Sequence, residues 1–97
     1  MENNEYIPHP VDTSDVELPA EIMELAEVIA RNVHEVWAES RLREGWTYGE
    51  VRDDAKRQTP CLVEYDELSD EEKSYDLNTA LGTLRLITKL GFRIIKE

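Results

Sequence analysis

Most of the side chains in this sequence that could bind or react fall between residues 34 and 61. His34 is followed by Glu35, the start of the zinc-peptidase pattern H-E-x-x-H, but the second histidine that pattern needs is Ala38. His9 and His34 are the only histidines and Cys61 the only cysteine, so no metal-ligand set of usual spacing exists. Cys61 and His34 together would be a minimal nucleophile and base. A lone cysteine in the apolar stretch CLVEY, however, reads first as a small buried hydrophobe. Asp66 to Glu72 lacks the alternating ligands and central glycine of a calcium loop. No catalytic residue, metal or cofactor is expected, and the chain reads as a non-enzyme.

Binding chemistry is better represented. Arg52, Asp53, Asp54, Lys56 and Arg57 form a mixed cluster with two readings. In one, ion pairs and Asp-closed turns hold a loop together. In the other, an Arg fork and a Lys point charge hold a phosphate while the acids orient them. Trp37 and Trp46 likewise serve either as core residues or as stacking surfaces for a base. Tyr48 and His34 are candidate polar contacts beside them. The candidate ligand-binding set is therefore Trp37, Tyr48, Arg52, Lys56, Arg57 and His34.

Charge narrows the partners. Eleven basic against 22 acidic residues give a net charge of −11, which excludes generic nucleic-acid binding because phosphate contacts need a basic footprint. Residues 1–30 hold eight acids and no Lys or Arg, whereas 41–57 is slightly basic, so an anion is drawn there first. No apolar run approaches the roughly 18 residues of a membrane span, and MENNEY has no secretion-signal pattern. A soluble cytoplasmic protein is expected, without membrane contact. At 97 residues it makes one domain.

The elements that must position these residues are mainly α. Residues 1–18, with Pro8 and Pro10, read as an extended arm packed on a helical domain spanning 19–97. Pro19 suits a first helical position, with Glu21 and Glu24 in the first turn. Ile22, Leu25, Ile29, Val33, Val36 or Trp37, and Ser40 then predict a buried stripe, with Ala26 and Ala30 filling in, on a helix near 20–44 that Gly45 ends. Residues 45–60 read as a structured loop. Ser69 and Glu72 form a capping-box pattern for a short helix near 70–74, and Asp76 restarts a longer one near 77–90. CLVEY and FRII would form a small β pairing.

The run from Asn32 to Gly91 resembles the RyR domain, the repeat found as tandem pairs in the cytoplasmic part of ryanodine receptors. Its most specific pieces are Asn32, His34, Glu35 and Trp37; then Gly45, Trp46, Tyr48 and Gly49; then Arg52, Asp53, Asp54 and Lys56. Tyr6, Pro8, Pro10, Asp12 and Thr13 resemble the family's Y-x-P-x-P-x-D-T opening. Thr59 departs from the family, whose receptor copies commonly place His before the proline matching Pro60. Free-standing copies occur in bacteria and phages.

The resemblance implies a regulatory module rather than a channel, since one copy and no membrane span are present. Receptor pairs pack with pseudo-two-fold symmetry and have been seen to hold adenine nucleotide near tryptophans. From this follow the expectations of a ligand-binding module for an adenine nucleotide or ADP-ribose-type signal, with Trp37 as the stacking surface, and of a homodimer. The alternative is a protein-interaction or structural module with no small-molecule ligand.

Overall fold

The computed structural model describes residues 5–97. Two helices, joined by a 26-residue connection that carries the other elements of the described residues, make the frame: α1 spans Ala20–Arg43 and α2 spans Asp70–Lys89. Pro19 is the residue before α1 rather than its first member, and its carbonyl accepts from the N–H groups of Ile22 and Met23. Both helices end the same way. Gly45 (φ +91°) and Gly91 (φ +96°) take the left-handed conformation that L side chains resist. The N–H of the next residue then reaches back to the helix, Trp46 to Arg41 O at 3.0 Å and Phe92 to Ile87 O at 3.2 Å.

The buried stripe of α1 lies one position away from the one its large apolar residues predict. Ala26, Ala30 and His34 are buried, Ile22 and Ile29 are half-buried, and Leu25, Val33 and Val36 are exposed. Small residues win the inner positions because they let the helices approach. Ala26 meets Ala80 and Leu84 of α2, with Ile22, Ile29, Leu81 and Ile94 around them. A second cluster, Ala30 with Tyr65 and Leu68, is joined to the first through Leu77.

The second helix also differs from expectation. Residues 70–89 form one continuous helix, without the break expected between 74 and 77. Asp76 sits mid-helix, and the apolar face from Leu77 to Leu84 holds the chain helical through it. Ser69 Oγ accepts from Glu72 N at 3.2 Å, which is the forward half of the capping box. Among the described residues no return bond from Glu72 to the cap is made.

The β pairing exists but elsewhere. β1 (Thr47–Tyr48) and β2 (Gln58–Thr59) pair in parallel, with Thr47 opposite Gln58 and Tyr48 opposite Thr59. CLVEY and FRII do not pair. Val63 gives its carbonyl to His34 instead of to a ladder, Cys61 and Val63 pack on the second cluster, and Tyr65 begins a 3₁₀ turn over Tyr65–Glu67. Ile94 lies against the first cluster from the irregular segment after α2.

Of the arm expected over residues 1–18, the first four residues lie outside the described part. From Glu5 it is irregular, with an Asp12-closed turn (Ser14 N to Asp12 Oδ1, 2.9 Å). Leu18 packs on the core, and Lys89 Nζ ties Asp15 to the end of α2 at 3.0 Å.

Candidate functional site

The crossover between β1 and β2 is nine residues, too short for a helix, and must close tightly. Asp53 and Gln58 exchange backbone hydrogen bonds at 2.9 and 3.0 Å, and Asp53 Oδ1 accepts the Lys56 N–H at 3.1 Å. Arg57 adopts φ +55°, and its guanidinium donates to the Glu44 carbonyl at 2.6 Å, anchoring the loop to the end of α1. A Cβ on Gly49 would stand 2.7 Å from Gln58 Cβ, so the two passing backbones require glycine there.

This closed loop presents Arg52. Its Nε donates to Asp54 Oδ1 at 2.8 Å, a contact that raises the guanidinium's proton affinity and holds the Asp54 carboxyl below its ordinary range. Among the described residues no acceptor takes its terminal nitrogens, which leaves a fork able to meet an anion.

Along α1, Arg31, His34, Trp37 and Arg41 follow one another at helical spacing, and residues from the connection fill between them. Arg31 lies 4.8 Å over the Tyr65 ring, and Tyr65 meets His34 edge to face at 6.1 Å. His34 stacks on Trp37 at 5.7 Å, while Arg41 lies over both Trp37 (5.7 Å) and Trp46 (5.1 Å). Arg52 covers Trp46 at 5.7 Å. From Arg31 to Arg52 the column reads one cation, three rings, then cation, ring and cation. His34, 4% exposed, donates Nε2–H to Val63 O at 2.7 Å, which fixes where that ring nitrogen carries its proton.

Beside the column, a cleft of about 320 Å³ opens between the helices. Val33, His34 and Trp37 of α1 form one wall, and Leu68 with Glu72, Tyr75 and Asp76 of α2 another. Arg52, Thr59 and Cys61 close it from the connection. Three of the six candidate ligand-binding residues, His34, Trp37 and Arg52, thus meet in one cleft. The other three do not line it: Tyr48 is exposed on β1, Lys56 is exposed in the loop, and Arg57 is committed to Glu44.

Sequence reasoning missed Tyr75, Glu72 and Asp76. The signal was available in their spacing, since positions 72, 75 and 76 share one face of a helix, but it is visible only if residues 70–76 belong to the same helix as Leu77. The Cys61 thiol is pushed up from its ordinary value, first by burial and then by the Glu72 carboxylate, with Asp76 adding to it. That disfavours a reactive thiolate. Among the described residues no group of three or more His, Cys, Asp or Glu is placed to hold a metal ion, and no helix is long and apolar enough to cross a membrane.

The fold and cleft define a small helical module: two helices, a looped parallel pair, and a cation-and-ring column beside an open cleft. A family model described as the RyR domain matches residues 6–96, nearly the whole chain. The chain belongs to the RyR domain family.

Proposed function

We propose that this chain is a non-enzymatic, regulatory ligand-binding module whose cleft takes an adenine nucleotide or a related ADP-ribose-type molecule. The observation that carries the reading is the meeting of Arg52, whose terminal nitrogens have no acceptor among the described residues, with Trp37 and Tyr75 in a single cleft. Trp37 is flanked along α1 by His34 and Arg41, so it supplies a rigid border. Tyr75, 71% exposed, supplies the open aromatic surface. Arg52 takes phosphate. Calorimetry with adenine nucleotides and with linear and cyclic ADP-ribose tests this. Arg52→Ala weakens binding more than Arg52→Lys, and Lys56→Ala leaves it unchanged; no heat with any ligand removes the reading.

A second reading, a protein-interaction module that pairs with its own copy, rests on a different observation. The accessible surface is 7803 Å². A compact monomer of 11.3 kDa is expected to show about 5,700 Å². Part of the excess is apolar: Leu25, Val28 and Ile95 are exposed around a groove of about 470 Å³ between α1 and the C-terminal segment. The excess is larger than the roughly 800 Å² that each partner of a standard interface buries, so one copy has surface enough to pair.

A further inference from the structure

The charges around the cleft are unequal. Among the described residues that line it, Arg52 is the only lysine or arginine, and Asp54 already holds that guanidinium at 2.8 Å, whereas Glu72 and Asp76 both face the cleft from α2. Glu72 is the residue that a complete capping box would turn back toward Ser69; here it contributes only its backbone N–H to the cap, and its side chain lines the cleft. Glu72, Asp76 and Arg52 line the cleft together with Cys61, which places the three charges around one spot.

An ionised carboxylate only accepts hydrogen bonds. A ligand edge that presents an amino group to this wall gains charge-assisted contacts, and one that presents a carbonyl oxygen or a second phosphate meets repulsion. Size adds a limit. At about 320 Å³ the cleft stands at the small end of ligand sites, which run from about 300 to 1,000 Å³. It holds one nucleoside rather than two.

We infer that the Glu72 and Asp76 wall makes the cleft selective for an amino-bearing ring carrying a single phosphate, with the amino edge toward α2 and the phosphate toward Arg52. This rests on the nucleotide reading above and specifies its ligand as a mononucleotide. Tyr75 and Trp37 border the ring, and sites built to pair with a donor reject analogues that lack it.

The test is calorimetry of the whole chain with adenosine monophosphate, inosine monophosphate and adenosine triphosphate. Inosine monophosphate differs in the ring edge, where a carbonyl replaces the amino group. The expected result is that adenosine monophosphate binds at least about tenfold more tightly than either of the others. In the double variant Glu72→Gln, Asp76→Asn the side-chain amides can turn to meet either edge, so the preference over inosine monophosphate falls below about threefold. A thermal melt followed by circular dichroism confirms that the variant is folded, and Glu72→Gln alone serves if the double variant is not. Equal binding of the adenosine and inosine forms, or a preference that survives the substitutions, overturns the acidic-wall inference and leaves the nucleotide reading standing. Absence of binding by all three, together with no heat from ADP-ribose, overturns both.

Discussion

The His34 imidazole donates to the Val63 carbonyl across 2.7 Å, and this one bond clasps the connection onto α1. Without it the segment from Cys61 to Tyr65, which has no ladder to join, would keep a carbonyl without a partner. The same ring stacks on Trp37 and meets the edge of Tyr65, so His34 joins the clasp to the ring column. His34→Ala should destabilise the fold by about 1–3 kcal/mol in a urea melt, the cost of a part-buried acceptor left without its donor. A change below about 0.5 kcal/mol would show that water replaces the imidazole without penalty.

The shifted stripe of α1 makes a second expectation. Leu84 is 3% exposed against Ala26, so Leu84→Ala should cost about 2–5 kcal/mol through lost burial and a cavity. Leu25, despite its place in the apolar repeat, should tolerate Leu25→Ala within about 0.5 kcal/mol under conditions where the chain is monomeric. The reverse order in denaturant melts would return the core to the large residues.

That contrast shows what was legible in the sequence. Helix ends were, because Gly45 and Gly91 act locally through backbone conformation, and so was the mainly helical class. The stripe was not, because apolar periodicity marks a face only to within one residue, and the choice between Ile29 with Val33 and Ala26 with Ala30 depends on how closely α2 approaches. The β pair was missed because β1 and β2 are two residues each and owe their pairing to Gly49 and the Asp53 turn rather than to strand propensity. The cleft was half legible: His34, Trp37 and Arg52 stood out by type, while Glu72 and Asp76 resembled ordinary helix-start and solvated acids. Arg57 was read by charge, but its geometry assigns it to the Glu44 carbonyl.

Acid should loosen the arm and the connection together. The carboxyls of Asp15, Asp54 and Asp66 are each held below their ordinary value, chiefly by hydrogen bonds from Lys89, Arg52 and Arg31 respectively. A carboxyl depressed in the folded state contributes stability that is fully present above the unfolded value of about 3.9 and is lost as pH falls through the lower folded value. All three pairs are exposed, so each contribution is small and screened by salt. Melts between pH 6 and pH 2 should show stability falling below about pH 4. Asp15→Asn should flatten part of that fall, and an identical profile for this variant would remove the arm tether from the balance.

Self-association is the expectation on which the exposed surface bears most directly. The groove bordered by Leu25, Val28, Ile94 and Ile95 is apolar at its floor, with Glu21 and Glu24 on one rim and Lys96 on the other. Two copies related by a two-fold axis can bring acidic and basic rims into register, because an isologous contact places each residue opposite its complement's copy. Opposing this is net charge, −11 for one chain and therefore twice that for a pair. At physiological salt a screening length of about 8 Å confines that repulsion to neighbouring charges. The expected outcome is a weak to moderate dimer that strengthens as salt rises from low to physiological values, because screening removes more repulsion than rim attraction. Sedimentation velocity over a concentration and salt series measures it. Val28→Glu should abolish the dimer while leaving the monomer folded, since Val28 is 63% exposed. A monomer at every concentration up to high micromolar would leave this face without a second copy and remove the self-pairing reading.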